Sequence, residues 1–271
     1  MSGYLESVLV LLAINTILAY AAFLPMAAGQ LNLGVAAFVA IGAYSAGYLS
    51  QTYGLHPVLA AMAAVVICSF AGWLVAFPIL RTRGIYLALA TFALNQVVQG
   101  VILNLNVVGG ASGYPVPAHI GFGVVAAFAV AVVMLVVLAF HTRFGVSVTA
   151  VRDDERVADL MGLSVRGVQS AAFTAGAALA GLAGALYAHH FNYIEAQNYG
   201  VLFSIYIVLY VLLGGTQTVY GPLLGAAVFT LLPELLRGSA AWRYVIFACL
   251  IIAIMSLRPH GVLLRKSWFS R

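Results

Sequence analysis

Charged residues are scarce in this sequence, where they occupy only 7% of the 271 positions. Hydrophobic residues occupy 64%, and the mean hydropathy is +1.07. A soluble domain with this composition would not stay in solution, whereas about 20 apolar residues suffice for one membrane-spanning helix. The unbroken apolar run at 124–140 also argues against an outer-membrane barrel, whose strands alternate between apolar and polar residues. The composition therefore predicts an all-α, polytopic transmembrane helical bundle.

Lysine and cysteine are almost missing. The single lysine is Lys266. A phosphate-binding loop of the G-x-x-x-x-G-K-S/T type needs a glycine directly before its lysine, and Arg265 occupies that position here. The chain therefore cannot hydrolyse ATP by that route, and we predict that it is not an enzyme. The two cysteines, Cys68 and Cys249, lie inside apolar runs. We expect small buried side chains there, with no disulfide framework, no metal site and no cofactor.

Nine apolar segments predict nine spans, at 5–24, 32–50, 57–79, 85–104, 121–141, 171–190, 201–214, 222–236 and 244–257. Basic residues concentrate in cytoplasmic loops of such proteins, and this rule orients the chain. It predicts a cytoplasmic side for these residues: Arg81, Arg83, Arg143, Arg152, Arg156, Arg166, Arg258, Arg265, Lys266 and Arg271. Among the basic residues, only Arg237 and Arg243 are predicted to lie on the external side. The N-terminus is then external, the C-terminus is cytoplasmic, and the net charge of +5 does not indicate nucleic-acid binding.

The charge that is present gathers in one internal segment at 143–166, which holds four arginines and four acids. Within it, Asp153 is predicted to cap a short helix whose first turn carries Asp154 and Glu155. Gly162 can end the helix in the left-handed conformation. Three apolar residues at helical spacing form one face, and they are Val157, Leu160 and Met161. Such a short helix needs support from flanking spans. We expect a cytoplasmic docking element, with a solvated loop as the alternative.

Glycine and polar residues interrupt the apolar pattern at 25–34 and at 214–222. Irregular backbone at membrane depth is tolerated only where protein or water satisfies it, so paired interruptions point to a translocation path. In the fourth span, Thr91, Asn95 and Gln99 share one helical face. The predicted path-lining residues are Gln30, Asn32, Gly34, Thr91 and Asn95. The alternatives are ordinary turns for the interruptions and interhelical hydrogen bonding for the polar face.

Small residues recur every fourth position in the sixth span, at Gly176, Ala180, Gly184 and Ala188. This spacing lets another helix approach the backbone closely. We therefore predict a packing face there and assign it no chemistry.

Seven segments resemble the permease subunits of branched-chain amino-acid ABC importers, the leucine/isoleucine/valine family. They are GQLNLGVAAFVAIGAY at 29–44, RGIYLALATFALNQ at 83–96, GGASG at 109–113, AVRDDERVADLMGLSV at 150–165, AFTAGAALAGLAGALYA at 172–188, GGTQTVYGPLLGA at 214–226 and RPHGVL at 258–263. Their order runs through nearly the whole chain. The chain looks like the smaller-loop subunit of the usual two-permease heterodimer.

The resemblance implies a single permease domain, 1–271, of the type II importer kind, in a bacterial-type inner membrane. A second permease subunit would complete the pore, with two cytoplasmic ATP-binding subunits below and a solute-binding protein above. The segment at 152–162, which includes Arg152, would be the coupling helix. Asn32, Val157 and Gln217 stand where relatives usually have Ser, Ala and Gly. These departures leave the solute open between branched-chain amino acids and similar small solutes.

Two other classes of protein remain as alternatives. An ion-coupled secondary transporter would need ionisable residues within its spans, and the candidates are Glu195 and Glu234, near predicted span ends. An intramembrane enzyme would rest on His189, His190 and Glu195. Adjacent histidines on a helix point about 100° apart, which makes them a poor metal pair.

Overall fold

The structure is a computed structural model that describes residues 2–235 and the isolated positions 248 and 252. The predicted ninth span at 244–257 and the predicted cytoplasmic tail with Arg258, Arg265, Lys266 and Arg271 lie outside the described residues. So do Arg237, Arg243 and Cys249.

Ten α-helices make up most of residues 2–235. They are α1 (Ser2–Ala27), α2 (Val35–Tyr53), α3 (Pro57–Ile79), α4 (Ile85–Asn104), α5 (Phe122–His141), α6 (Arg143–Asp153), α7 (Glu155–Leu160), α8 (Val165–Phe191), α9 (Val201–Gly214) and α10 (Gly221–Leu235). Two-residue strands β1 (Tyr114–Pro115) and β2 (Tyr193–Ile194) pair antiparallel. The all-α bundle predicted from composition is confirmed, since helices supply most of the core and each strand has only two residues.

The prediction of nine spans is not confirmed. Five described helices, α1, α3, α4, α5 and α8, are long and apolar enough to cross a membrane by length and composition. Helix α9 has 14 residues, and the structure describes 15 residues of α10, as far as Leu235. At about 1.5 Å per residue α9 is shorter than the roughly 30 Å hydrocarbon core. Helix α2 is not among the five, because small and polar residues lower its hydropathy. It is buried along most of its length.

Helix α8 forms the centre of the bundle and packs against α1, α2 and α3. A Cβ at Gly184 would overlap the carbonyl oxygen of Val39, and one at Gly176 would lie 2.6 Å from that of Ala21. Gly42 of α2 meets the backbone of Gly181. The predicted packing face of α8 is therefore confirmed, and it brings three other helices to backbone contact.

The two ends of the bundle differ in charge. We call one the basic end, which carries Arg81, Arg83, Arg143, Arg152, Arg156 and Arg166. Arg83 Nη1 lies 3.3 Å from Glu155 Oε2 and joins the α3–α4 connection to α7. At the opposite end, β1 and β2 link the α4–α5 and α8–α9 connections. The predicted cytoplasmic arginines among the described residues thus share one end of the molecule.

The close approach at α8 predicts the effect of a single methyl group. Gly184→Ala places that methyl against the Val39 backbone, and overpacking of this kind costs about 1–3 kcal/mol. Gly100→Ala in α4 is the matched control, since nothing lies within 4 Å of a Cβ there. We expect Gly184→Ala to lower the midpoint of detergent-induced unfolding, followed by circular dichroism, while Gly100→Ala leaves it unchanged or raises it. Equal midpoints for the two variants would contradict the packing described here.

Candidate functional site

The charged segment at 143–166 is helical on both sides of α7, whereas we predicted a loop around one short helix. Helix α6 begins at a cap in which Thr142 Oγ1 accepts from the backbone N–H of Phe144 at 3.3 Å. Its buried residues, Gly145, Val148 and Val151, recur every third position. That spacing was visible in the sequence. The charges around it obscured an amphipathic helix that packs back onto the bundle.

Asp154, and not Asp153, caps α7, so the predicted cap was off by one residue. Asp154 Oδ1 accepts from the backbone N–H groups of Arg156 at 2.8 Å and Val157 at 3.1 Å. Asp153 ends α6, where its Oδ1 lies 3.2 Å from Arg152 Nη2. Gly162 has φ +83°, which confirms the predicted left-handed end. Adjacent acids have nearly equal capping propensity, so only the end of α6 decides between them.

Helix α7 presents apolar side chains to its surroundings. Leu160 is 88% exposed, Met161 79% and Val157 47%, while Ala158 is buried against the bundle. Large apolar side chains grouped in this way beside charged ones are typical of an interaction surface. We call Val157, Leu160 and Met161 the apolar face of α7. It lies at the basic end, as predicted.

Two polar contacts hold α7 in place. Glu155 lies 3.3 Å from Arg83, and it also accepts a hydrogen bond from Gln169 Nε2 at 2.9 Å. These contacts join α7 to the α3–α4 connection and to α8. A helix of about two turns has little stability of its own, so its position depends on these neighbours.

Arg152 connects α6 to both glycine-interrupted segments. Its Nη1 donates to the carbonyl oxygen of Thr216 at 3.2 Å, within the α9–α10 connection. A Cβ at Gly29, in the α1–α2 connection, would lie 3.7 Å from the Arg152 Cα. The two interruptions singled out in the sequence therefore meet the same residue at the basic end. The contact between Arg152 and Thr216 could not be predicted from the sequence, because the two residues are 64 positions apart.

The predicted path-lining residues are buried close to one another. Gln30, Asn32, Thr91 and Asn95 are all at most 3% exposed. Thr91 Oγ1 accepts from the backbone N–H of Leu33 at 3.0 Å, which joins α4 to the α1–α2 connection. The sequence motifs around Asn32 and around Thr91 are thus brought together.

Gly34 makes this approach possible, because a Cβ there would lie 2.7 Å from the Thr91 carbonyl oxygen. Asn32 Oδ1 accepts from the Gly34 backbone N–H at 2.8 Å and so shapes its own turn. Further along α4, Asn95 Nδ2 donates to the Tyr199 carbonyl at 3.4 Å, and Gln99 Nε2 donates to that of Ala196 at 3.1 Å. The polar face of α4 therefore lines the connection between α8 and α9.

Some of these buried groups have no protein partner. Both side-chain atoms of Gln30 and the Oδ1 of Asn95 make no hydrogen bond to any residue that the structure describes. Leaving a buried polar group unpaired costs about 1–3 kcal/mol. A water molecule or a small polar solute would satisfy them. The unpaired amide groups of Gln30 and Asn95 would thus be stabilised by a polar occupant.

Sequence reasoning missed Ser204 in α9. Its Oγ is buried and accepts from the backbone N–H of Ala36 at 2.8 Å, which fixes the start of α2. A lone serine in an apolar run was its only signal.

His189 and His190 each face a different backbone carbonyl. His189 is fully buried, with its Nδ1 directed at the Ala185 carbonyl and its Nε2 2.7 Å from Ser50 Oγ. His190 points instead toward the Ile120 carbonyl. Among the described residues, no group of three His, Cys, Asp or Glu side chains could hold a metal ion.

Comparison with known proteins identifies the family of this chain. Residues 4–255 match the model of the family described as "Branched-chain amino acid transport system / permease component". The chain belongs to this family and is a multi-pass membrane protein. No solved structure matches it.

Three relatives are proteins of branched-chain amino acid transport by name. The LivM permease proteins of Escherichia coli strain K12 and Salmonella typhimurium are 30% and 29% identical over 276 and 271 residues. In both comparisons the match covers 87% of this chain and 64% of the relative, so the chain spans just under two thirds of their length. The probable LivH permease protein of Methanocaldococcus jannaschii is 24% identical over an alignment of 286 positions, which covers 95% of this chain and 89% of that protein.

The hydrogen bond between Thr91 and Leu33 generates a prediction. Thr91→Val keeps the side-chain shape and leaves the Leu33 N–H without its acceptor, which we expect to cost about 1–3 kcal/mol of unfolding free energy. Thr91→Ser keeps the hydroxyl and should lose less. Thr82→Val is the matched control, because the Thr82 hydroxyl is exposed. Detergent-induced unfolding measures all three. A Thr91→Val variant as stable as Thr82→Val would show that this bond does not hold the connection.

Proposed function

We propose that this chain is a membrane-spanning permease subunit of an ATP-binding cassette importer. It forms half of a pore for branched-chain amino acids or similar small solutes. The observation that carries the proposal is the exposed apolar face of α7 at the basic end, in a chain of a permease family. ATP hydrolysis takes place in other subunits, since the sequence has no phosphate-binding loop.

The coupling site consists of the end of α6 and all of α7, and its residues are Arg152, Asp153, Asp154, Glu155, Val157, Leu160, Met161 and Gly162. The apolar face enters a cleft of a cytoplasmic ATPase. Asp154 and Gly162 define the two ends of the helix that presents it. Glu155 and Arg152 link the helix to the bundle. Because Arg152 contacts the α9–α10 connection and adjoins Gly29, a displacement of α7 reaches both irregular segments through contiguous contacts.

The translocation path is lined by Gln30, Asn32, Gly34, Thr91 and Asn95. Support for this role comes from their burial together and from the unpaired amide groups of Gln30 and Asn95. Gln30 and Asn95 would offer these groups to a passing solute, while Thr91 and Gly34 hold the α1–α2 connection against α4. The path also needs only weak contacts, because an importer must release what it receives.

The partners follow from this role. A second permease subunit, of the same or a different sequence, completes the pore, and two ATP-binding subunits dock at the basic end. A solute-binding protein docks at the opposite end, where β1 and β2 join the long connections. The protein lies in the bacterial cytoplasmic (inner) membrane with its C-terminus in the cytoplasm. The exposed apolar side chains of α3 and α5 face lipid or the second subunit.

The placement of Glu195 does not support an ion-coupled secondary transporter. Glu195 lies in the connection between β2 and α9, where its Oε2 is 3.4 Å from Asn198 Nδ2. It is therefore outside the helices, whereas ion coupling uses acids within the spans. Glu234, the other candidate acid, lies in α10 next to Pro233.

The apolar face of α7 provides the direct test of the proposal. Leu160→Asp places a charge in the docking cleft, and we expect it to weaken ATPase binding by about 2 kcal/mol or more, roughly 30-fold. Val146→Asp is the matched control, because Val146 is 70% exposed on α6 at the same end. Titration of purified ATPase onto the detergent-solubilised permease measures both affinities. Equal affinities for the two variants would contradict docking through α7.

Asn32 tests the path separately. We expect Asn32→Leu to lower the transport rate at least severalfold while ATPase binding stays normal. The leucine removes both the polar surface and the acceptor for the Gly34 N–H. Asn32→Ser keeps a side-chain acceptor and should retain most of the transport. Gly34→Val should be worse than either, because its side chain would overlap α4. Normal transport by Asn32→Leu would show that the segment at 25–34 is an ordinary turn and does not line the path.

A further inference from the structure

A cavity of about 440 Å³ opens at the basic end, between the end of α3, the start of α8 and one side of α7. Four arginines line it, namely Arg81, Arg83, Arg156 and Arg166, against two acids, Glu155 and Asp159. The excess of positive charge in one concave site favours an anionic occupant.

The arginines of this cavity are only partly neutralised. Glu155 is already engaged by Arg83 and by Gln169. Arg156 and Arg166 make no ion pair with any residue that the structure describes, and Arg81 lies over the Phe77 ring at 5.2 Å. Planar guanidinium groups of this kind match the geometry of phosphate oxygens.

A second cavity of about 230 Å³ lies beside the first, against α3 and α8. The two share Leu80, Arg81 and Arg166 in their walls. The second is otherwise lined by Ala76, Phe77, Gly167 and Ser170, so it is mainly apolar, and we call it the apolar groove. A charged site therefore adjoins an apolar groove at the basic end of two helices that are long and apolar enough to span a membrane.

We propose that this pair of cavities binds an anionic phospholipid of the cytoplasmic leaflet. Its phosphate pairs with Arg81, Arg156 and Arg166, and one acyl chain enters the groove beside Phe77. Basic pockets between spanning helices on the cytoplasmic side are suited to such headgroups. A free phosphate would satisfy the arginines and leave the groove empty, which is why the groove favours a lipid.

A phospholipid fits the two cavities better than an ATPase subunit does. None of Val157, Leu160 and Met161 lines either cavity, so the apolar face of α7 and the basic cavity lie on different sides of the same helix. A bound lipid phosphate would tie α7 to the ends of α3 and α8. The membrane would then help to position the coupling element.

The test uses the purified full-length permease complex, offered equal amounts of phosphatidylglycerol and phosphatidylcholine, with retained lipids counted by native mass spectrometry. Arg81→Gln combined with Arg166→Gln should lower the retention of phosphatidylglycerol by about tenfold or more. Arg143→Gln is the matched control, since Arg143 is an exposed arginine at the same end and lines neither cavity. An equal loss in the control, or no loss in the double variant, would overturn the proposal.

Two further measurements distinguish a phospholipid from a free phosphate as the occupant. Ser170→Phe fills the apolar groove without changing charge and should also lower phosphatidylglycerol retention. Millimolar glycerol 3-phosphate should not displace the lipid. Displacement by glycerol 3-phosphate with no effect of Ser170→Phe would identify a site for free phosphate and overturn lipid binding. Loss of ATPase co-purification by the double variant, with lipid retention unchanged, would assign the surface to the ATPase and overturn it as well.

Discussion

The fold depends on the close approach of the α8 backbone to α1, α2 and α3. Lipid removes most of the hydrophobic driving force between helices, so their association relies on close packing and hydrogen bonds. Gly176, Gly181 and Gly184 allow backbone contact on several sides of one helix. That contact sets the end of α1 and the start of α2. The irregular connection between them is then held where α4 can reach it.

The connections that follow from this packing carry the polar chemistry. The Thr91 hydroxyl accepts from the backbone N–H of Leu33 in the connection between α1 and α2, and the Ser204 hydroxyl accepts from that of Ala36 in the first turn of α2. On the basic side, Arg152 satisfies a carbonyl of the α9–α10 connection. Irregular backbone in the membrane is stable only when its groups are paired in this way.

Much of this architecture could be predicted from the sequence, because long apolar runs separate clearly from glycine-rich and charged connections. The α3, α4 and α9 helices have the predicted bounds, while α8 begins at Val165, six residues before its predicted start. Helix α6 was missed since its charges masked a three-residue spacing of buried positions. Asp153 and Asp154 are equivalent by propensity, so the cap was misplaced. The count of nine spans is not confirmed, because five of the described helices are long and apolar enough to cross and the predicted ninth span lies outside the described residues.

The contacts between distant segments could not be predicted. Nothing in the local pattern indicates that Asn95 would meet the Tyr199 carbonyl, or Arg152 that of Thr216. Such pairings depend on which helices become neighbours, which the small-residue face of α8 determines only after folding. The burial of Gln30, Asn32, Thr91 and Asn95, by contrast, follows from a local rule. Polar side chains in apolar segments must face an interior.

The central claim is that ATP hydrolysis in separate subunits drives solute through this chain. The most direct measurement is solute uptake by proteoliposomes that contain the permease pair, the ATPases and the solute-binding protein. Uptake should require ATP on the side of the basic end and should persist when ion gradients are collapsed. Uptake by the permease alone, driven by an ion gradient and indifferent to ATP, would contradict the account.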